Sequence, residues 1–269
     1  MPLALFDISA LPGVQVQIDA ARAAVDEVIG HRALRRHGAE IALESSLRGA
    51  RSSAALEGVD VDLEFLRSGH LRLDHPGRPT AQAALRVAQE IPLLETTWRR
   101  SPVQALARMH MVAAADLVEQ IGEDSIGRPR TSPAQEGHLP GSRAVAAADV
   151  APRLMALNSL LLDDRETSAV VVAAVVHGEL MALQPFGTRD GLVARGAERL
   201  VLRTRGLDPR GLVVVEAGHL AVGRQQYRRL LAGFAKGGDE GLAAWVMHCA
   251  QAIRTGSATI ETVCQSLTD

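Results

Sequence analysis

The chain has 269 residues, of which 47% are hydrophobic and 22% charged, a balance that excludes wholesale disorder and supports one generous domain or two small ones. Its 29 basic and 31 acidic residues leave a formal charge of −2. Near-neutrality of this kind gives no electrostatic reason to expect nucleic-acid or membrane-surface binding. Cys249 and Cys264 are the only cysteines, too few for a disulfide framework or, alone, for a structural zinc site. Reduced thiols in a cytoplasmic protein are expected. The opening MPLALFDISALPG has no basic leader or long apolar run, so no signal peptide is expected. The most apolar stretch, SAVVVAAVV at Ser168 to Val176, is too short to span a bilayer.

Aromatic residues are only 3%, and alanine and leucine dominate, which favours helix throughout. In chain order, helices are predicted over Val16 to Ile29, Arg35 to Arg48 and Asp60 to Arg67, the last with acidic residues in its first turn. A break at Asp74 to Pro79 precedes one long helix, Thr80 to Arg99, with Thr80 as N-cap. Pro102 to Ile121 follows, capped by Ser101. Gly122 to Ser142 holds four glycines and three prolines and is predicted as the longest loop. Further helices are predicted over Asp149 to Leu162, Ser168 to Leu183, Gly191 to Arg205 with Gly206 as C-cap, Arg224 to Ala235, and Leu242 to Thr255. The fold class is all-α with one dominant core. Residues 1–99 form an N-terminal helical region and 100–269 the core domain.

The junction around Pro185 is where chemistry is expected. A buried helix ends at a proline, a short loop turns, and a second helix starts with free backbone N–H groups and a positive dipole end, a ready anion site. From these physics alone an ordinary helix–loop–helix turn is the simpler reading.

The wording of the junction adds to this. Gln184-Pro185-Phe186-Gly187-Thr188-Arg189-Asp190-Gly191-Leu192-Val193-Ala194-Arg195 resembles the Fic (Fido) family motif H-P-F-x-[D/E]-G-N-G-R-x-x-R. The segment Arg51 to Gly58 resembles that family's inhibitory helix, [S/T]-x-x-x-E-[G/N], with Ser53 and Glu57 in the key places. Gly127-Arg128-Pro129-Arg130 resembles the stretch leading into the family's substrate-positioning flap, and Tyr227 to Leu231 and Ala244-Trp245 resemble later helices. The resemblance spans roughly residues 40 to 255. It implies a mostly helical fold with an N-terminal helical layer and a short flap loop, and, in typical members, transfer of AMP from ATP to a protein hydroxyl with magnesium.

Residue by residue, the motif departs from that pattern. Gln184 stands where the family has its histidine base, and a carboxamide does not titrate near neutral pH. Thr188 stands at the acidic, metal-holding position, whereas magnesium usually takes at least one carboxylate besides phosphates. Arg189 replaces the first glycine, which is costly wherever the turn needs φ > 0. Asp190 replaces the asparagine and puts negative charge where an anion should bind, a repulsion of roughly 4 kcal/mol at 4 Å and an effective dielectric of 20. Leu192 replaces the first arginine. Pro185, Phe186, Gly191 and Arg195 match. Pro185 and Phe186 shape the turn and pack the core, and Gly191 permits a tight helix start. By the resemblance, Arg195 has two partners, nucleotide phosphate or the inhibitory glutamate. With the phosphate turn altered, an intramolecular Glu57–Arg195 ion pair pinning the N-terminal helix to the core is expected. Arg189 and Asp190 admit two readings. They are solvated loop charges, paired with each other, or a repurposed pocket in which Arg189 holds an anion and Asp190 acts as base or metal ligand.

His177 reads as a packed core histidine rather than a replacement base. His110, between Met109 and Met111, reads as a helix residue beside core methionines. His138 lies in the long loop near Arg128 and Arg130, which is either a partner-binding edge or a plain loop. The remaining histidines show no metal-ligand spacing. Tyr227 and Trp245 read as core fillers. Possible pocket residues are His177, Phe186, Arg128 and His138.

The leading expectation is a catalytically degenerate Fic-fold protein acting as a binding or regulatory module, with a protein partner and no cofactor. The alternative is a transferase of altered chemistry that moves a nucleotide or phosphate-containing group to a protein hydroxyl, in which case ATP and magnesium are implied. A third reading is a helical structural subunit that forms a homodimer.

Overall fold

The computed structural model describes residues 8–69, 75–133, 139–140, 145–163 and 167–268. His138, Asp74 at the start of the predicted break, and part of the flap segment fall outside these residues. The described chain is helical with no strand, as the composition predicts, and no helix is long and apolar enough to cross a membrane.

The N-terminal helices are α1 (Val14–Gly30), α2 (Leu34–Leu56), α3 (Leu63–Ser68) and α4 (Arg78–Glu90). Then come α5 (Glu95–Arg100), α6 (Pro102–Ala113), α7 (Val118–Ile121) and α8 (Ala147–Leu161). The core pair is α9 (Ala169–Leu183) and α10 (Asp190–Thr204), followed by α11 (Val215–Ala221), α12 (Arg224–Lys236) and α13 (Asp239–Ser266).

Several predicted boundaries are corrected. The long helix over Thr80 to Arg99 is two helices separated by a 3₁₀ turn, Ile91–Leu94, because Pro92 lacks the N–H that an α-helix needs there. Its N-cap is Gly77, not Thr80. The helix over Pro102 to Ile121 ends at Ala113 and resumes briefly as α7, and Ser101 makes no side-chain cap bond. Helix α2 runs past Arg48 through the inhibitory-type segment to Leu56, with a kink at His37. Helix α13 extends well beyond Thr255 to Ser266, and α11 has no counterpart in the sequence reading.

α9 shows tertiary context overriding propensity. Its valine-rich sequence favours strand, yet it is helical because helices surround it and nearly every residue is buried. α10 lies against it and is buried from Asp190 through Leu202. The main apolar core draws on both parts of the chain, from Ile18 and Val25 on α1 to Trp245 and Ile253 on α13. α1 and α13 pack along each other, and a second cluster joins Val28, Ile41, Leu212 and Ile260.

Helix α2 carries small or polar residues at every fourth position, Ser45, Gly49, Ser53 and Glu57, and this stripe faces α10. Arg199 Nη2 donates to Ser45 Oγ at 2.9 Å, and its Nε lies 3.1 Å from Glu216 Oε1 on α11. A Cβ on Gly49 would come within 3.0 Å of Glu216 Oε2 and 3.3 Å of the Arg199 guanidinium. α11 approaches α13 even more closely. A Cβ on Gly218 would lie 2.1 Å from the Ala252 carbonyl oxygen, with no flexible side chain to give way. Gly218→Ala should therefore lower stability by about 1–3 kcal/mol, measured by urea unfolding. An unchanged midpoint would contradict this packing.

Candidate functional site

The loop between α9 and α10 uses left-handed backbone at both ends. Among the described non-glycine residues only Gln184 (φ 47°) and Arg189 (φ 56°) have positive φ, with Gly187 (φ 75°) between them. Arg189 therefore occupies the conformation that normally favours glycine, at a cost of roughly 1–2 kcal/mol. Its side chain offsets that strain. Nη2 lies 2.8 Å from Asp116 Oδ2, and Nη1 donates to Thr80 Oγ1 at 2.9 Å. Arg86 holds Asp116 from the other side and also donates to the carbonyls of Val112 and Ala113 at the end of α6.

The reading of Arg189 and Asp190 as solvated loop charges paired with each other is corrected. The Arg189 side chain is 14% exposed and bound to Asp116, not to Asp190. Asp190 is buried and turned back into the loop, where Oδ1 accepts from the Phe186 backbone N–H at 2.9 Å. Oδ2 is buried without a hydrogen-bond partner among the described residues. Burial pushes the carboxyl up to about 7, with Glu57 adding to the rise and the amides of Phe186 and Gly187 opposing it.

Arg130 closes the loop from the flap side. Its backbone N–H donates to the Pro185 carbonyl at 2.7 Å, and its guanidinium donates to the carbonyls of Gln184, Ser132, Val145 and Leu183. It thus satisfies carbonyls that the end of α9 leaves free. Arg128, the flap residue singled out from the sequence, is instead 69% exposed and 3.4 Å from Asp124. Phe186, Arg128 and Thr188 line a cleft of about 440 Å³ together with the Thr131–Pro133 segment. His177 does not line it.

His110 is not a mere neighbour of core methionines. It is fully buried, stacked on Phe186 at 4.3 Å, and hydrogen-bonded to Thr188 Oγ1 at 3.1 Å. The pair has the spacing of a nucleophile and its base, but the tautomer opposes that role. Nδ1 accepts from the Gly127 backbone N–H at 2.9 Å, so the neutral ring carries its proton on Nε2 and donates to Thr188. Burial pushes His110 down to about 4.

At the start of α10 the structure brings Ser53, Glu57, Gly191 and Arg195 together. The Arg195 side chain is 1% exposed. Its Nε donates to Ser53 Oγ at 2.7 Å, and its Nη2 to Glu57 Oε1 at 2.6 Å and to the Ser53 carbonyl at 3.2 Å. Burial opposes the charge, but Glu57 and the Tyr227 oxygen outweigh it and raise the guanidinium above its ordinary value. Gly191 has ordinary helical backbone. Its role is space, because a Cβ there would lie 2.1 Å from Glu57 Oε1. The carboxylate of Glu57 therefore sits on the N-terminus of α10. It is placed there by the end of α2, where Glu57 is the C-cap and Gly58 (φ 96°) turns the chain.

Tyr227 is also more than a filler. Its hydroxyl lies 3.5 Å from Arg195 Nη1 and 2.7 Å from His177 Nε2, and burial raises its pKa. Behind it, His177 and His219 both reach Glu198, and His219 reaches His248. Glu198 and His219 carry no signal in the sequence, since Glu198 is 21 residues from each histidine it meets. Arg130 figures in the sequence only as part of the flap-like stretch, and Asp116, inside a predicted helix, carries no signal at all.

No family model and no curated protein matches the chain. Solved structures do. A Fic family protein from Desulfovibrio desulfuricans G20 is 21% identical, with a TM-score of 0.70 over 92% of this chain and 74% of that one. Fic-1 from C. elegans is 17% identical, with a TM-score of 0.69 over 94% and 73%. A Fic domain containing signaling protein from Bacteroides thetaiotaomicron VPI-5482 is 12% identical, with a TM-score of 0.68 over 93% and 97%.

Two consequences are measurable. Arg195→Ala should destabilise by about 3 kcal/mol, the low end for a broken buried pair, because Glu57 is 31% exposed and regains water. Unfolding no easier than the wild type would contradict this. For Asp190 the folded pKa of about 7 exceeds the unfolded value of 3.8, so the native state holds the extra proton and stability falls as pH rises between them. Asp190→Asn should therefore gain roughly 2–4 kcal/mol on the wild type at pH 8 and almost nothing at pH 4. A pH-independent difference in urea unfolding would refute that. The chain has the all-α fold of Fic family proteins.

Proposed function

We propose that this chain is a Fic-fold binding or regulatory module that does not perform conventional AMP transfer. The observation that carries this reading is the chemistry at the N-terminus of α10. A phosphate-binding helix start needs open N–H groups and nearby cations. Here Glu57 Oε1 lies 2.1 Å from where a Gly191 Cβ would be, and the Asp190 carboxyl, folded into the same turn, already takes up the Phe186 amide. The cations are committed elsewhere, Arg189 to Asp116 and Arg195 to Glu57 and Ser53.

The chemistry of the motif supports the same reading. Gln184, at the position of the family's base, has no titrating group. Thr188, at the position of its metal-holding acid, has a hydroxyl engaged by His110. The surface offered to a protein partner is the cleft beside Arg128, Thr188 and the flap segment. In this reading residues 1–99 supply the inhibitory-type helix and 100–269 the core. The protein works in the cytoplasm, where Cys249 and Cys264 remain free thiols, without ATP or magnesium, as a monomer or homodimer.

A transferase of altered chemistry is the second reading, favoured by the partial exposure of Glu57, which gives the pair a route to open. Calorimetry with ATP, GTP, CDP-choline and UTP, with and without magnesium, on the wild type and Glu57→Gly separates the two. The variant frees Arg195 and the helix start. No binding tighter than about 1 mM is expected in either folded protein. Binding to either would overturn the module reading and direct attention to the transferred group.

A further inference from the structure

Helices α9, α10 and α11 bring His177, Glu198 and His219 to one point in the core. All three are fully buried, and one donor atom from each lies within 4.8 Å of the others. His177 Nδ1 and His219 Nε2 stand 2.7 and 2.8 Å from the same oxygen, Glu198 Oε2. The other oxygen, Oε1, is buried with no hydrogen-bond partner among the described residues.

Protons alone leave this arrangement incomplete. Two neutral imidazoles can donate to Oε2, but the carboxylate charge then stays uncompensated in the interior and Oε1 is desolvated without a partner. A buried orphan oxygen of this kind calls for an ion or a water. The outer nitrogens of both rings are already held. His177 Nε2 is 2.7 Å from the Tyr227 hydroxyl, and His219 Nδ1 is 3.0 Å from His248 Nε2. Outer partners of this type fix the orientation and tautomer of histidine ligands.

We propose that His177, Glu198 and His219 hold a divalent transition-metal ion of the zinc class through three protein ligands, the fourth position being left to a water. Imidazole nitrogen with one carboxylate suits zinc or cobalt, whereas magnesium and calcium favour an all-oxygen set. Binding is balanced without any redox step. Each imidazole carries its proton on the outer nitrogen, toward Tyr227 or His248, and presents the inner nitrogen's lone pair to the metal. The carboxylate is ionised and supplies one negative charge. Arg195, the nearest cation along this chain of contacts, lies beyond the Tyr227 hydroxyl and is paired with Glu57. The site is independent of whether the motif loop is active.

The test starts with the full chain purified without a metal-affinity column. Elemental mass spectrometry should find close to one equivalent of zinc. A strong chelator should lower Tm, and added zinc at a hundredfold excess over its Kd should restore it by about 5–10 °C. Cobalt in place of zinc should give visible d–d bands. Glu198→Gln keeps the shape and should lose both the metal and the Tm response. If that variant does not fold, Tyr227→Phe keeps all three ligands but removes an outer partner, and should weaken retention by about 10–100-fold. A wild type free of metal and indifferent to zinc and cobalt after chelation overturns the proposal. So does metal that Glu198→Gln, or in its place Tyr227→Phe, retains as firmly as the wild type.

Discussion

The arrangement of this molecule depends on one buried guanidinium. Arg195 lies inside the protein with its charge intact, and a charge there is tolerable only with close, well-directed partners. Those partners are three residues from two places in the chain: Glu57 and Ser53 at the end of α2, and Tyr227 on α12. Satisfying Arg195 therefore fixes where the N-terminal helix ends and which face it shows to the core. Gly191 is small for the same reason, since any side chain would displace the Glu57 carboxylate.

Much of this was legible in the sequence, and the failures have identifiable causes. The helical class followed from alanine and leucine content, and the resemblance of the Pro185 loop pointed to the fold the structure shows. Ser53, Glu57 and Arg195 were singled out because each falls on a motif position. Helix boundaries failed where one residue outweighed a periodic pattern, as at Pro92, or where amphipathic signal faded before the helix did, as past Thr255. Of the two readings of Arg189 and Asp190, the solvated loop charges paired with each other failed because the partner of Arg189 is distant in sequence and Asp190 turns back to a backbone amide. Asp116, Thr80 and Arg86, which enclose Arg189, come from α4 and the segment after α6. His177 reads as a packed core histidine, but its meeting with Glu198 and His219 is invisible because the three lie 21 residues apart in turn.

The loop illustrates how a sequence can break a local rule and remain well folded. An arginine in left-handed backbone is unfavourable by itself. Asp116 and Thr80 hold its far end, and Asp190 takes up the Phe186 amide. Arg130 then clamps the carbonyls on the flap side. These contacts tie the turn to α4, to the segment after α6 and to the flap. They also keep its charged groups engaged within the protein, so a ligand would have to compete with existing ion pairs rather than meet free ones.

α10 carries this logic through the whole core. Asp190, Arg195, Glu198 and Arg199 are all buried on one helix, and each finds its partner outside that helix. Asp190 answers the loop amides, Arg195 answers α2, Glu198 answers α9 and α11, and Arg199 answers α2 and α11. An apolar helix could slide or rotate against its neighbours at modest expense. Here a shift by one residue would strand several charged groups at once, each with the penalty of an unpaired buried ion. The polar interior thus sets the register of the packing. The same constraint holds the Glu57 carboxylate against the start of α10, because moving α2 enough to clear that helix start also breaks the contacts of Arg195 and Arg199.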